Sequence, residues 1–337
     1  ADIIARYYRS LGCKVFFLTG SDEHGQKIAA TASTNGEAEI ELCDRHVKIF
    51  ADLYDKLDIS FDRFIRTSSD DHKKVACHIF EEVLRAGDIY LGNYSGWYNV
   101  REETFVPEGE AENMNFTDPV TGLPLKKLEE PSYFFRLSRF QDQVKKHILS
   151  HPDFIQPTNA RNEILQRLEL PLRDLSISRT SFSWGIPVPN DSKHVMYVWF
   201  DALINYLSGV DWPDGARSSN WPCDVHLIGK DIMWFHSVIW PSMLLSAGVP
   251  LPTRIYGHGF VNDRLGRKMS KSLNNVEDPF ALLERYDSDT IRYFLAAAAP
   301  FGSDIPFCRS NMIATHNSFL ADGIGNLVHR ATSLTHK

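Results

Sequence analysis

The first 87 positions alternate between helical apolar stripes and one short apolar run. Ile3, Ile4, Tyr7 and Tyr8 follow a helical spacing, whereas the run at 15–18 is continuous and leads into a polar loop flanked by glycines. Continuous apolar runs of this length are typical of buried parallel strands, and the stretch after the loop is helical in pattern. Apolar stripes predict two further helices, in DRHVKIFADLYDKLDI and in DDHKKVACHIFEEVLRAGD, the second ending at Gly87.

The pattern changes at about Ile89. Aromatic and polar residues alternate in YLGNYSGWYNVREETFVPEGE, and a turn cluster, TDPVTGLP, follows. These features predict short antiparallel strands. The same stretch contains two segments of helical pattern, PSYFFRLSRFQDQVKKHI and RNEILQRLEL, and it extends to about HVMYVW. We interpret it as a module inserted into the first one.

The earlier order of strand, loop and helix resumes in DVHLIGKDIMWFHSVIWPSMLLSAG, with an apolar run at 225–228. A third strand candidate is TRIYGHGFV, and helical patterns cover 279–299 and 311–332. The chain is therefore predicted to be an α/β protein whose parallel sheet is split by an insertion.

Composition narrows the class of protein. The chain has 337 residues, of which 43% are hydrophobic and 23% charged, which suits a soluble globular protein of two or more domains. A net charge of -7 argues against coating nucleic acid through the whole surface. The five cysteines are widely spaced and form no CxxC pair, which favours a reducing compartment and gives no zinc signature. No apolar run reaches the length of a membrane span, so we expect an intracellular, cytoplasmic protein.

Polar loops follow all three strand candidates: TGSDEHG, IGKD and YGHGF. In an open α/β sheet, ligands bind beyond the carboxyl ends of the strands. Each loop alone also has a structural explanation, because Asp22 suits a helix cap, Gly229 a turn and His258 a satisfied polar contact. Together they indicate a nucleotide site.

The stretch LGRKMSKSLNN, residues 265–275, follows the third strand candidate. It places Arg267, Lys268 and Lys271 among glycine, serine and asparagine, which favour irregular backbone. A solvated surface loop explains this composition by itself. Beside a nucleotide site, however, a mobile cationic loop suits an anionic ligand.

Two helical faces carry aromatic residues. Trp199, Ala202 and Tyr206 are spaced at i, i+3 and i+7, and a second face combines Ile232, Phe235 and His236. Core packing is the commoner explanation for such stripes. An apolar, aromatic slot would also suit a flexible thioether side chain.

Five motifs occur in order: GSDEHGQKI, YVWFDALINYL, GKDIMWFH, GHGFV and KMSKS at 268–272. In this combination the sequence resembles the class I aminoacyl-tRNA synthetases, and among them the methionyl-tRNA synthetase family, over essentially its whole length. The resemblance implies a Rossmann-type catalytic domain at 1–86 and 196–261 and a connective insertion at 87–195. A stem-contact region with the KMSKS loop would follow at 262–307, and the start of an anticodon-binding helical bundle at 308–337.

The family's HIGH-type motif would lie just before Ala1, and most of the anticodon bundle would lie beyond Lys337, so we expect a partial chain. The insertion lacks the cysteine knuckles with which many relatives bind zinc. The resemblance therefore implies the zinc-free form, with no structural metal.

The resemblance also implies the reaction, in which methionine and ATP form methionyl-adenylate and the methionyl group passes to tRNA(Met). Positioning and charge stabilisation would carry most of the catalysis, since a carboxylate needs no activating base. Mg²⁺ would accompany ATP, held mostly by phosphate oxygens. By motif position, the catalytic lysines are Lys268 and Lys271, and methionine binds to Asp22, Trp199, Ala202, Tyr206, Ile232, Phe235 and His236. The ATP positions are His24, Gly229, Asp231, His258, Gly259, Val261 and Lys271.

Two alternatives stay open at this point. One is a class I synthetase for another apolar amino acid, since a hydrophobic pocket separates substrates that differ by one methylene by only ~1–3 kcal/mol. The insertion is small for an editing domain, and a cysteine-specific site would be expected to use metal-binding cysteines. The other alternative is a noncatalytic tRNA-binding or scaffold protein that keeps the fold.

Overall fold

A computed structural model describes residues 1–99, 104–106, 108–119, 122–270 and 275–335. The helices are α1 Asp2–Ser10, α2 Gln26–Asn35, α3 Glu39–Lys56, α4 Asp70–Arg85, α5 Glu108–Asn113, α6 Gln141–Ser150, α7 Thr158–Arg167, α8 Val198–Leu203, α9 Asn205–Ser208, α10 Trp240–Ser246, α11 Pro279–Leu283, α12 Ser288–Ala297, α13 Arg309–Thr315 and α14 Asn326–Thr335. Three 3₁₀ turns (Leu137–Phe140, Ser218–Asn220 and Lys230–Ile232) and two π-helical segments (Phe235–Ile239 and His316–Gly325) complete them.

The strands are β1 Leu18–Ser21, β2 Arg63–Arg66, β3 Ile89–Asn99, β4 Thr104–Val106, β5 Lys126–Phe135, β6 Ile155–Gln156, β7 Leu175–Ser176, β8 Ser178–Arg179, β9 Pro187–Val188, β10 Asp191–Met196, β11 His226–Gly229, β12 Ile255–His258, β13 Val261–Asn262 and β14 Ile305–Pro306.

The strands that precede the polar loops pair in parallel within two separate sheets of the described structure. β1 pairs with β2, and β11 pairs with β12, so that Gly229 lies opposite His258. The predicted α/β fold with parallel strands is therefore confirmed. The first strand begins at Leu18, three residues later than the apolar run at 15–18 predicts. The shift places the strand end directly against the loop that carries Asp22.

The helix α4 shows how local sequence sets an element. Asp70 and Asp71 stand in its first turn and Arg85 in its last, which complements the helix dipole at both ends. Gly87, with φ of 77°, then turns the chain out of the helix. The buried face includes Phe80, which packs edge to face on Phe200 of α8. This contact joins α4 to the helix that carries Trp199 and Ala202.

The inserted module is built on an antiparallel sheet in the order β4-β3-β5-β7, as the alternating pattern predicts. The helix predicted from Pro131 onward is wrong over its first five residues, which belong to β5. Phe134 stacks on Tyr90 across the ladder, while the neighbouring Phe135 is fully buried on the other face. Cross-strand aromatic pairing and burial on both faces favour the strand over the local helical pattern.

Two other predicted helices are interrupted. The turn at Ile204 separates α8 from α9, and residues 284–287 separate α11 from α12. Asp278 caps α11 by accepting from Phe280 N at 2.9 Å, and Asp287 caps α12 by accepting from Thr290 N at 2.7 Å. These caps satisfy amides at each helix start, so two short helices replace one long helix.

One strand of the sheet that contains β11 and β12 comes from within 87–195. β6 pairs in parallel with β12, and Ile155 lies opposite Ile255. Both side chains are fully buried in the main hydrophobic core, which also contains Trp240 and Phe200. The domain limits predicted above stay predictions. No helix in the described part of the chain is both long and apolar enough to cross a membrane.

Candidate active site

A cavity of about 390 Å³ opens beside the carboxyl ends of β1 and β11. Six of the seven positions predicted to bind methionine line it: Asp22, Trp199, Ala202, Tyr206, Ile232 and His236. The remaining lining residues are Leu18, Thr19, Gly20, Ser21, Thr67, Leu203, Asn205 and Leu227. The volume lies in the usual range for small-molecule pockets. The structure thus brings together side chains from three separate stretches, while their assignment to methionine stays a prediction.

Phe235, the seventh predicted position, supports the cavity wall from behind. Its ring stacks on Trp199, with 3.7 Å between ring centroids and 13° between planes. Trp199 belongs to α8, and Phe235 begins the π-helical segment after β11. The stack therefore joins the two helical faces that the sequence predicts.

Tyr206 and His236 form a hydrogen-bonded pair in the cavity wall. Nδ1 of His236 lies 3.0 Å from the carbonyl oxygen of Ile232, which can only accept, so Nδ1 carries a proton. Nε2 of the neutral ring then accepts from the Tyr206 hydroxyl at 2.7 Å. Burial lowers the pKa of His236 from 6.5 to about 4 and raises that of Tyr206. Both groups are therefore neutral at pH 7.

A second buried imidazole, His226, lies behind this pair. Its Nε2 accepts from Trp240 Nε1 at 3.2 Å, and its ring centroid is 4.1 Å from that of Tyr206. Burial, followed by repulsion from His236, places the pKa of His226 well below its ordinary value. His226 was not predicted as a site residue, because a histidine on a buried strand has no distinctive spacing.

The loop carrying Asp22 is anchored by its neighbour Glu23, which is 2% exposed. The Glu23 carboxylate accepts from Ser21 Oγ at 2.5 Å and from Arg66 Nε at 2.7 Å. Its backbone carbonyl accepts from Trp184 Nε1 at 2.6 Å. Asp22 itself is exposed at the cavity mouth. Glu23 was also missed from sequence, since its partners lie 43 and 161 residues away.

His24 is buried rather than open to the cavity, with 4% of its surface exposed. Its Nδ1 donates to Asp201 Oδ2 at 2.5 Å, and Asp201 Oδ1 accepts from His72 Nε2 at 2.6 Å. Burial lowers the pKa of His24, but the charge and hydrogen bond of Asp201 outweigh it and raise the pKa overall. Asp201 and His72 were not predicted as site residues.

The predicted ATP positions Gly229, Asp231 and His258 meet at the ends of two neighbouring strands. Gly229 lies opposite His258 in the ladder, and Asp231 is exposed in the turn after β11. Asp231 Oδ1 lies only 2.5 Å from the point where a Cβ at position 229 would stand. Glycine therefore leaves room for this carboxylate to lie over the strand end.

Gly259 has a structural reason to be glycine. A Cβ at this position would lie 2.1 Å from the backbone oxygen of Ser303. Val261, which is 41% exposed, begins β13 just beyond and pairs with Ile305 of β14. The close approach at Gly259 thus brings the segment before β14 against the end of β12.

Of the two predicted catalytic lysines, Lys268 is described and Lys271 lies outside the described residues. The Lys268 ammonium stands 5.4 Å from the centroid of the Phe260 ring, and the Lys230 ammonium lies 4.8 Å from it. Lys230 also donates to Asp304 at 2.6 Å. One aromatic ring thus contacts a cation from the GKD turn and a cation from the KMSKS motif.

Asp263 organises the turn that leads to Lys268. Its Oδ1 accepts from the backbone amides of Leu265 and Arg267, each at 2.9 Å, and its Oδ2 accepts from Asn275 Nδ2 at 3.0 Å. The Asn275 contact, partly offset by desolvation and strengthened by Arg267, keeps the pKa of Asp263 well below its ordinary value. Gly266, with φ of 75°, makes the tight turn possible.

These features define the class of protein: parallel strands carry polar loops at their carboxyl ends, and an aromatic cavity lies beside them. The family model described as tRNA synthetases class I (M) matches residues 1–119 and 114–332. The chain belongs to this family of class I synthetases of the methionine type, which confirms the resemblance predicted from the motifs.

The chain is 47% identical over 341 residues to the methionine–tRNA ligase of Mycobacterium bovis, covering 100% of this chain and 66% of the relative. It is 46% identical over 341 residues to the methionine–tRNA ligase of Thermotoga maritima, covering 100% of this chain and 54% of that protein. A crystal structure of Mycobacterium tuberculosis methionyl-tRNA synthetase bound by methionyl-adenylate superposes with a TM-score of 0.93 at 45% identity. It covers 100% of this chain and 67% of that one. The chain thus spans about two thirds, or less, of these relatives.

Proposed function

We propose that the chain forms the active site of a methionine–tRNA ligase, which activates methionine with ATP and transfers it to tRNA(Met). The observation that carries the proposal is the shared cavity of Asp22, Trp199, Tyr206 and His236 beside the ends of β1 and β11. Similarity to methionine–tRNA ligases over the whole chain, and to a structure bound by methionyl-adenylate, supports it. The predicted domain limits and the cytoplasmic location belong to the same proposal.

The cavity suits methionine at both ends. Trp199, held by Phe235, offers a flat apolar wall for the thioether, and sulfur-aromatic contacts contribute about 0.3–1.5 kcal/mol. Tyr206 and neutral His236 satisfy each other, so no charge faces the side chain. Asp22 at the mouth would receive the ammonium group through a charge-assisted hydrogen bond.

ATP would lie across the ends of β11 and β12. Asp231 would bind the ribose hydroxyls, and His258, Gly259 and Val261 would lie beside adenine. By motif position His24 would lie near the phosphates, although its ring is buried and its Nδ1 donates to Asp201. Within the part of the chain that the structure describes, no three His, Cys, Asp or Glu residues could jointly hold a metal ion. The described side chains therefore do not fit a resident metal, and we assign Mg²⁺ only to the phosphate oxygens of ATP.

In the activation step, a methionine carboxylate oxygen attacks the α-phosphorus of ATP. The new bond from oxygen to phosphorus forms as the bond from the α-phosphorus to the bridging oxygen breaks, and pyrophosphate leaves with the electron pair. The carboxylate is already a nucleophile, so the protein must mainly position it and stabilise the leaving charge. We assign the stabilisation of the charge on the leaving pyrophosphate to Lys268 and Lys271.

Methionine-dependent exchange of pyrophosphate into ATP tests the proposal. We expect the full-length gene product to catalyse this exchange with methionine, and much more weakly with leucine, isoleucine, valine or cysteine. A higher specificity constant for one of those amino acids would select the alternative of another class I synthetase. The scaffold alternative predicts tRNA binding without exchange for any of the five amino acids.

A further inference from the structure

A fully buried carboxylate lies next to the methionine cavity without lining it. Asp201 is 0% exposed and stands on α8 between Trp199 and Ala202, two residues of the cavity wall. Both of its oxygens are engaged, by His24 at 2.5 Å and by His72 at 2.6 Å. The group is therefore part of the site's support and does not contact the space where a ligand would bind.

The His24 bond ties Asp201 to the loop of Asp22. His24 follows Asp22 by two residues, and its ring lies edge to face on Trp184, with 5.4 Å between centroids. The loop runs from the end of β1 at Ser21 to Gly25, whose φ of 105° starts α2. A short loop held at His24 has little freedom left at Asp22.

The His72 bond ties Asp201 to two further helices. His72 lies in the first turn of α4, is 0% exposed, and places its Nδ1 2.8 Å from Ser208 Oγ of α9. It thereby fixes the second oxygen of Asp201 from the side opposite the loop. The network joins the Asp22 loop, α4, α8 and α9 at a single carboxylate.

Burial makes this link resistant to displacement. A buried carboxylate that loses one of its donors incurs a desolvation penalty, so the loop cannot move away without a large rise in free energy. Desolvation acts to raise the pKa of Asp201, but attraction and hydrogen bonds from His24 and His72 keep it lowered. The carboxylate therefore stays charged and keeps both imidazoles in place.

We propose that Asp201, oriented by His72, is a positioning residue that sets the distance between the ammonium-binding Asp22 and the aromatic wall at Trp199. This inference rests on the proposed function. In this proposal the network lets the site recognise an α-amino acid by holding two binding points at a fixed separation, one for the ammonium group and one for the apolar side chain. Methionine binding should then need both Asp22 and the network, whereas a ligand without the ammonium group should need neither.

The test is a double-mutant cycle read out as methionine affinity by calorimetry in the absence of ATP. Asp201→Asn keeps the side-chain shape but removes the charge, and we expect methionine to bind at least tenfold more weakly. In an Asp22→Asn background the same change should weaken binding less than threefold, because the group it positions is already altered. Additive losses in the cycle would overturn the proposal.

A ligand comparison provides the second readout. The desamino analogue 4-(methylsulfanyl)butanoate lacks the ammonium group, and we expect the wild-type protein and Asp201→Asn to bind it with affinities within twofold of each other. An equal loss for methionine and for the analogue would show that Asp201 supports the wall in general, which contradicts positioning of Asp22.

Controls separate positioning from stability. His194→Gln replaces another buried imidazole, hydrogen-bonded to Ser178 in the inserted module, and should leave methionine affinity within twofold. If Asp201→Asn does not fold, Ser208→Ala weakens the hold on His72 more mildly and should raise the methionine dissociation constant two- to fivefold. The inference would be rejected if His194→Gln lost as much methionine affinity as the network variant. It would also be rejected if no network variant lost methionine affinity. Absence of methionine binding by the wild-type protein would instead reject the proposed function.

Discussion

The Tyr206 hydroxyl donates to Nε2 of His236 across the cavity wall at 2.7 Å, and Nδ1 of the same ring donates to the Ile232 carbonyl. Both ring nitrogens are thus satisfied in the neutral state. A proton added at Nε2 would displace the tyrosine hydrogen from its acceptor. The pair is therefore polar but uncharged at neutral pH, and it gives the protein a defined response to acid.

His236→Gln should make the free energy of unfolding less sensitive to pH on the acid side. The folded pKa of about 4 lies below the ordinary value of 6.5, so between these limits the unfolded chain binds a proton that the native protein does not. Stability then falls as pH falls, by about 1.4 kcal/mol per pH unit for one proton. The free energy of unfolding, measured with denaturant at several pH values between 4 and 6.5, should depend less steeply on pH in the variant. His226 is present in both proteins, so its contribution cancels in the comparison. An equal dependence on pH in both proteins would show that the pKa of His236 is not lowered by folding.

Asp22→Asn should weaken methionine binding and largely spare ATP binding. The change removes the charge at the cavity mouth while keeping the size of the side chain, and hydrogen bonds to charged groups are worth about 1.5–3 kcal/mol. Calorimetry with each ligand separately provides the measurement. An unchanged methionine affinity would remove Asp22 from the amino-acid site.

Gly259→Ala should destabilise the fold, because its Cβ would meet the backbone oxygen of Ser303 at 2.1 Å. Overpacking against such a fixed group costs about 1–3 kcal/mol. Gly109→Ala is the matched control, since it lies in α5 with no heavy atom within 4 Å of the added Cβ, and alanine is the better helix former. We expect the midpoint temperature of thermal unfolding to fall for Gly259→Ala and to stay the same or rise for Gly109→Ala. A stable Gly259→Ala protein would show that the 303–304 segment moves freely.

Lys271→Ala should slow adenylate formation by at least tenfold, equivalent to about 1.4 kcal/mol, with much smaller losses in methionine and ATP binding. A lysine that reaches the leaving pyrophosphate only as charge develops stabilises the transition state more than bound ATP. Single-turnover formation of the adenylate at saturating substrates measures the effect, with Lys268→Ala as the comparison. A defect accounted for by weaker ATP binding alone would contradict this role.

Local geometry groups part of the site, and the family resemblance assigns it to ligands. Helical spacing groups Trp199 with Ala202, and strand ends locate Gly229 and His258. Tyr206, predicted on the same face, lies on the next helix, after the turn at Ile204. The local pattern is ambiguous in the segment at 131–135, whose strand conformation depends on Tyr90 across the ladder.

Residues whose role depends on distant partners could not be found this way. Asp201 meets His24 and His72 across 177 and 129 residues, so no window of sequence contains the network. In isolation Asp201 is one acidic residue near the start of a helix, and His72 is one histidine in the first turn of another. Burial creates their importance, because it turns ordinary polar side chains into groups that must find partners.

The pairing of β6 with β12 bears on how this fold can be re-engineered. Ile155 is hydrogen-bonded into the same ladder that ends at His258, although it is encoded amid the antiparallel module. A chimaera that exchanges residues 87–195 as one block between two relatives would therefore replace an edge strand of the recipient's own sheet. A transplant that stops before residue 155 would leave this strand, and its packing beside β12, with the host.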